Sequence, residues 1–201
     1  MTNDWTFHEF EELGSTNDFA KNLPHYHAVR AEKQSAGRGQ RGRRWHSHKG
    51  GLWASYVLPD VGHPAPALNL GAAIILHFRN TYPLPQARLR YPNDLMLENR
   101  KFGGVLIEKP SAKTLVVGLG INLSNSLAPD DELRSPATRL KDHLQATPTS
   151  TALFKELAPV LKKALLSPPD PNQFWAKPPR RAHIKSHQGE FLGHFLGTTP
   201  I

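Results

Sequence analysis

Residues 31–45 read AEKQSAGRGQRGRRW, and the fold class turns on how this stretch is taken. Gly37-Arg38-Gly39-Gln40-Arg41-Gly42 has the spacing G-x-G-x-x-G of a dinucleotide-binding turn. That reading demands an apolar helix packed on its strand directly after the turn, with an acidic residue about 20 positions further on. Arg43, Arg44, Trp45 and His46 follow instead, then Lys49-Gly50-Gly51, which is no start for a packed helix. A doubly wound parallel sheet is therefore set aside. The stretch is a loop, entered from a strand-like segment over 27–32 and closed by a tryptophan. Its glycines let the main chain approach a ligand closely. Its arginines offer planar, permanently charged donors for carboxylate and phosphate oxygens. Trp45 adds a flat apolar face suited to a ring. Such a loop fits a small phosphorylated ligand carrying a flat base. The competing reading is a solvated basic loop that touches nucleic acid without specificity.

Outward from the loop, apolar runs alternate with breaks. Thr6–Leu13 predicts a strand, and Ser15–Leu23 a helix with Ser15 or Thr16 near its N-cap. Tyr26–Glu32 and Leu52–Leu58 predict strands. Pro66–Arg79 is apolar nearly all round, the pattern of a buried helix. Arg88–Tyr91 and Leu95–Glu98 predict short strands on either side of Pro92-Asn93-Asp94. Gly104–Lys109 and Lys113–Gly118 predict a hairpin over Pro110-Ser111. In 151–166, Leu153, Leu157, Val160, Leu161, Ala164 and Leu165 share one helical face, and Pro159 predicts a kink or a late helix start. Paired strands with few helices give an α+β fold, a mixed β-sheet with helices packed on it. The 18 prolines cluster at 59–66, 83–92 and 168–179. The last cluster suggests a boundary between a main domain over 1–175 and a short piece over 176–201.

A chain of 201 residues can hold one ample core. Its +8 charge and pI near 9.9 fit phosphate-bearing partners and say nothing about fold. With no cysteine there is neither a disulfide nor a thiolate metal site. His8, His25, His27, His46, His48 and His63 show no spacing that recommends a metal site. The first residues carry no basic-then-apolar signal pattern. Leu70–Phe78, interrupted by His77, is too short to span a bilayer. These features lead to the expectation of a cytoplasmic protein with no membrane partner.

Four separated segments fall into one pattern: Gly14-Ser15-Thr16-Asn17; Gln34 to Trp45; Tyr91-Pro92-Asn93-Asp94 followed by Lys101-Phe102-Gly103-Gly104 and Val105-Leu106-Ile107-Glu108; and Gly118-Leu119-Gly120-Ile121-Asn122. In this order and spacing they resemble the biotin–protein ligases, which activate biotin with ATP and transfer it to a lysine. The match runs from about residue 5 to about residue 180. The resemblance implies the biotin–lipoate ligase catalytic fold, which is class II aminoacyl-tRNA synthetase-like. It also implies ATP and biotin as substrates, Mg2+ arriving with ATP, and a biotin carboxyl carrier domain as acceptor.

The resemblance also assigns residues. Lys101 and Arg38 would supply positive charge where the biotin carboxylate meets the α-phosphate, with the amides of Arg38 and Gly39 around the same oxygens. Ser15, Thr16, Asn17 and Gln34 would line the biotin pocket, together with Gly37, Arg38, Gly39, Gln40, Lys101 and Gly104. Arg41, Arg43, Trp45, Asn93, Asp94 and Asn122 would face ATP or the adenylate, with Trp45 stacked on adenine. Each has a plainer role open to it: helix capping for Ser15 and Thr16, a hairpin tip for Lys101, a bulge for Gly104, core packing for Trp45, turn chemistry for Asn93 and Asp94.

Departures from the family pattern carry their own expectations. Gln40 stands where members commonly carry arginine, which implies a more weakly held adenylate unless Arg41 compensates. About fourteen residues precede the Ser-Thr-Asn segment, where family members that repress transcription carry a winged helix-turn-helix, so DNA is not an expected partner. Arg181–Lys185 and Gly189–Gly193 resemble the opening strands of the family's C-terminal SH3-like β-barrel, and two strands cannot close a barrel. Pairing with a second copy, as a homodimer, stays open. The rival readings are a lipoate ligase or octanoyltransferase of the same fold, an inactive biotin-binding homologue, and a basic nucleic-acid-binding module.

Overall fold

The computed structural model describes residues 5–127, 136–167, 185–186 and 189–190. Its strands are β1 (Thr6–Leu13), β2 (His27–Gln34), β3 (Leu52–Pro59), β4 (Ala87–Arg90), β5 (Asp94–Leu97), β6 (Arg100–Ser111) and β7 (Thr114–Ile121). They form one sheet in the order β1-β2-β3-β7-β6-β5-β4. β1 and β2 run parallel, and every other neighbouring pair is antiparallel. Connection length explains the mixture. The chain returns from β1 to β2 through helix α1 (Thr16–Ala20), a crossover long enough for parallel pairing. Only Glu98-Asn99 separates β5 from β6, and Ala112-Lys113 separates β6 from β7, so those neighbours turn back antiparallel.

Alternation along β3 divides the two faces of the sheet. Ala54, Tyr56 and Leu58 join the main core, which lies under helices α2 (Pro66–Thr81) and α3 (Ser150–Leu166). Val57, with Val29, Val116 and Ala20, forms a smaller cluster under α1 on the other face. The all-round apolar character of α2 is explained by its neighbours: it packs on β4, β5 and β6 and against α3. At Gly71 an added Cβ would stand 2.8 Å from Leu89, so glycine allows this close approach of helix to sheet.

Two expectations change. α1 is shorter than Ser15–Leu23, and Ser15 occupies its N-cap position without a side-chain capping bond. α3 does not start late. Thr149 caps it by accepting from the Ala152 amide at 3.2 Å, and the helix runs on through Pro159. Pro159 and Lys155 are both exposed, so the helix carries its proline on the solvent side. The expected division at 175/176 lies outside the described residues. Of the two strands expected over 181–185 and 189–193, a two-residue antiparallel pair is described, β8 (Lys185–Ser186) with β9 (Gly189–Glu190).

The edge strand β1 is tied down by the buried Arg30 of β2. Its Nε and Nη2 donate to Glu9 Oε2 at 3.1 and 2.8 Å, and its Nη1 donates to Glu32 Oε1 at 2.6 Å and Ser150 Oγ at 2.5 Å. One guanidinium thus joins β1, β2 and the start of α3. Arg30→Met is expected to lower the unfolding free energy by about 2 kcal/mol, read as a lower urea midpoint at unchanged slope. An unmoved midpoint would show that the cluster does not hold β1.

Candidate active site

A cleft of about 680 Å³ opens on the face of the sheet that carries α1. Its floor includes Gly118 and Gly120 of β7 with Gly104 and Leu106 of β6. The glycines make room for side chains that lie flat on the sheet. A Cβ at Gly118 would come 2.5 Å from Asn17 Oδ1, and one at Gly120 would come 2.5 Å from the Trp45 ring.

At one end, α1 and the end of β2 build a polar network. Gln34 Oε1 accepts from the Thr16 amide at 2.8 Å and from the Thr16 hydroxyl at 3.1 Å, while Gln34 Nε2 donates to Ser47 Oγ at 2.9 Å. Ser55 Oγ lies 2.8 Å from Thr16 Oγ1 and 2.5 Å from Asn17 Oδ1, and its single proton can serve only one of them. Asn17 Nδ2 donates to Glu108 Oε2 at 2.8 Å. Ser15, Thr16, Asn17 and Ser55 are all buried. This end presents hydroxyls and amides, suited to a neutral polar ring.

Lys101 and Arg38 are among the cations that line the cleft. Lys101 lies within β6, with its backbone held on both sides: its N–H donates to Pro136 O at 2.8 Å, and its carbonyl accepts from Thr138 N at 3.0 Å. Leu95 pairs with Gly103 while Met96 pairs with Lys101, so Phe102 is an extra residue in β6. This bulge re-aims the strand, and Lys101 and Gly104, three positions apart, both face the cleft. Lys101 Nζ lies 2.5 Å from Asp94 Oδ1 and 4.9 Å from the centre of the Trp45 ring. Arg38 donates to Asp18 and to Glu108. The hydrogen bond from Arg38, followed by that from Lys21, holds the Asp18 carboxyl well below the usual carboxylate range despite partial burial.

The glycine-arginine loop folds as a narrow hairpin beside the cleft. Trp45 N donates to Gly37 O at 2.9 Å and Gly39 N to Arg43 O at 2.7 Å. The Gly39 amide is therefore engaged inside the loop and not presented to ligand oxygens. Gly37 lies beneath the loop, where a Cβ would meet Ser47 Oγ and Trp45 O at 2.5 and 2.6 Å. Arg41 is exposed in a left-handed conformation (φ 60°), and neither it nor Gly37 lines the cleft. Trp45 lies against Gly120 and meets Trp53 edge-on, with ring centres 6.5 Å apart.

The other expected residues are brought together. Ser15, Thr16, Asn17, Gln34, Arg38, Gly39 and Gln40 line the cleft, as do Arg43, Trp45, Asn93, Asp94, Lys101, Gly104 and Asn122. Several are also tied to the protein itself. Asn93 Nδ2 donates to Val105 O at 2.7 Å, which staples the turn after β4 to β6. Asn122 donates to Thr138 O at 3.2 Å and accepts from Asn125 Nδ2 at 3.3 Å, anchoring the segment around Ala137. Arg43 Nε turns back to Gln40 O at 3.1 Å. Sequence reasoning missed Ser55 and Asp18, and it quoted Glu108, Gly118 and Gly120 within the four segments without giving them a site role. Gly118 and Gly120 had a signal: two glycines at strand period in an apolar strand mark a face that something approaches.

This sheet with its cleft has the architecture of solved biotin protein ligases. The structure of biotin protein ligase from Aquifex aeolicus in complex with biotin and ATP superimposes with a TM-score of 0.71 at 28% identity, covering 80% of this chain and 70% of that one. Residues 9–122 match the Biotin/lipoate A/B protein ligase family, and the chain belongs to it. Among its relatives, the bifunctional ligase/repressor BirA of Bacillus spizizenii is 36% identical over 129 residues, 59% of this chain and 39% of that protein. The biotin–[acetyl-CoA-carboxylase] ligase of Paracoccus denitrificans is 36% identical over 111 residues, 51% of this chain and 45% of that protein. The matched stretch thus spans less than half the length of either relative. No helix among the described residues is long and apolar enough to cross a membrane.

Proposed function

We propose that this chain activates biotin with ATP to biotinyl-5'-AMP and transfers the biotinyl group to a lysine of a biotin carboxyl carrier domain, in the cytoplasm. The observation that carries the reading is the convergence of four separated segments on one cleft, which brings polar side chains, Lys101 and Arg38, and a tryptophan-bearing arginine loop together. The names of the relatives support biotin as the acid.

In the first step a carboxylate oxygen of biotin attacks the α-phosphorus of ATP. A C–O–P linkage forms as the bond to pyrophosphate breaks. Two anions must meet, so fixed positive charge at the reacting oxygens lowers the barrier by preorganisation. Lys101 and Arg38 are the residues proposed to supply it. Mg2+ would be held mainly by the phosphates. In the second step a neutral lysine amine attacks the acyl carbon and AMP leaves.

The testing experiment is biotin-dependent ATP–pyrophosphate exchange. Exchange that requires biotin supports the reading, and a chain that binds no biotin sinks it. Gln40 gives a further expectation. It lines the cleft with an uncharged amide, and a charged partner strengthens a hydrogen bond to phosphate by about 1 kcal/mol. Gln40→Arg is therefore expected to slow release of biotinyl-adenylate about fivefold, measured by dilution of the preformed complex. Unchanged release would remove Gln40 from the account.

A further inference from the structure

The cation expected to receive the ligand's carboxylate already holds one from its own chain. Arg38 Nη1 donates to Asp18 Oδ2 at 2.5 Å and Nη2 to Asp18 Oδ1 at 2.6 Å, a bidentate grip on the end of the guanidinium. Nη2 also reaches Glu108 Oε1 and Oε2 at 3.2 and 3.3 Å. Both nitrogens that a carboxylate would grip end-on are therefore engaged, and the side-on pair shares Nη2. An incoming carboxylate cannot take a bidentate place on Arg38 while both acidic residues stay. Lys21, 2.8 Å from Asp18 and 3.7 Å from Glu108, completes a group of two cations and two carboxylates. Its charges cancel, so it offers an anion little net attraction as it stands.

The surroundings decide which carboxylate yields. Glu108 is fixed in strand β6, its side chain 25% exposed and braced by the Asn17 amide at 2.8 Å. The Asp18 side chain is 52% exposed at the start of α1 and has Lys21 as a second partner. Asp18 can turn into water without losing its whole charge pairing, whereas Glu108 would leave Asn17 without its acceptor.

We propose that Asp18 is an internal competitor for the acid ligand: it occupies the fork of Arg38 that the ligand carboxylate needs and is displaced when that carboxylate binds. This inference rests on the reading that the cleft takes an acid of the biotin class. Asp18 thereby sets how tightly the acid is held, by offering Arg38 an alternative partner of the same chemistry. A half-exposed ion pair is a weak competitor, so its removal changes affinity modestly.

The experiment measures binding of biotin, lipoic acid and their neutral amides, biotinamide and lipoamide, by calorimetry to the full chain and to its Asp18→Asn and Asp18→Ser variants. The expected result is an acid bound about fivefold more tightly by either variant, with affinity for its amide unchanged. Weaker binding of the acid would overturn the proposal and make Asp18 a residue that positions Arg38. Unchanged affinity, or an equal shift for acid and amide, would also overturn it. Lipoic acid bound in place of biotin, with the same fivefold gain, would sink biotin as substrate and uphold the competitor. No acid bound by any of the three proteins would overturn both.

Discussion

Lys101→Ala is expected to reduce biotin-dependent ATP–pyrophosphate exchange about 10²–10³-fold, the effect of removing one preorganised charge from a developing anionic centre. The loss should fall on kcat, because the charge matters most where the carboxylate and the α-phosphate are forced together. Stability should hardly move. Asp94, the partner of Lys101 at 2.5 Å, also accepts from Arg90 Nε and Nη2 at 3.1 and 2.7 Å, so the variant leaves no orphaned carboxylate. The backbone bonds of position 101 to Pro136 and Thr138 are independent of its side chain. Lys101→Arg should not restore the rate, since a planar fork does not reproduce a compact ammonium. Near-normal exchange in Lys101→Ala with an unchanged unfolding curve would remove Lys101 from the chemistry.

The second large effect is a separation of the two substrates by two glycines on one strand. Gly118→Ala brings a Cβ to 2.5 Å from Asn17 Oδ1 and 3.1 Å from Asn17 Cγ. Asn17 is locked by Ser55 and Glu108, so relief must break part of the polar network. Biotin binding is expected to weaken about tenfold or more, with the Km for ATP little changed. Gly120→Ala puts a Cβ at 2.5 Å from Trp45 Cε2 and Nε1. The indole must tilt off the sheet and lose its place against a base, a stacking interaction worth about 1–3 kcal/mol. Here the Km for ATP should rise while biotin binding holds. Equal effects of the two variants on both ligands would show that the cleft is not divided in this way.

The parallel pairing of β1 with β2 was not readable from the strands themselves, because a pairing direction is a relation between segments and each pattern is local. The same limit explains the site. Lys101 was singled out by the four-segment resemblance, yet its direction depends on the bulge at Phe102, which exists only against Leu95 and Met96 of β5. Asp18 was given no role from the sequence, and only the fold brings Arg38 across to it. Trp45 was read as a stacking platform, and its contact with Gly120 joins positions far apart in the chain. Arg41 was counted among the arginines facing a nucleotide, and the turn of its own loop leaves it outside the cleft.

By itself the sequence determined which segments are strands and helices, which faces are apolar, and that a glycine-arginine loop stands between two strands. Those properties depend on backbone periodicity and residue chemistry within a few positions. Only the tertiary structure decided which charges meet. Ion pairs such as Arg38 with Asp18 and Glu108 are fixed by where the sheet carries their strands, and an electrostatic interaction between distant segments depends on distances that no local pattern contains.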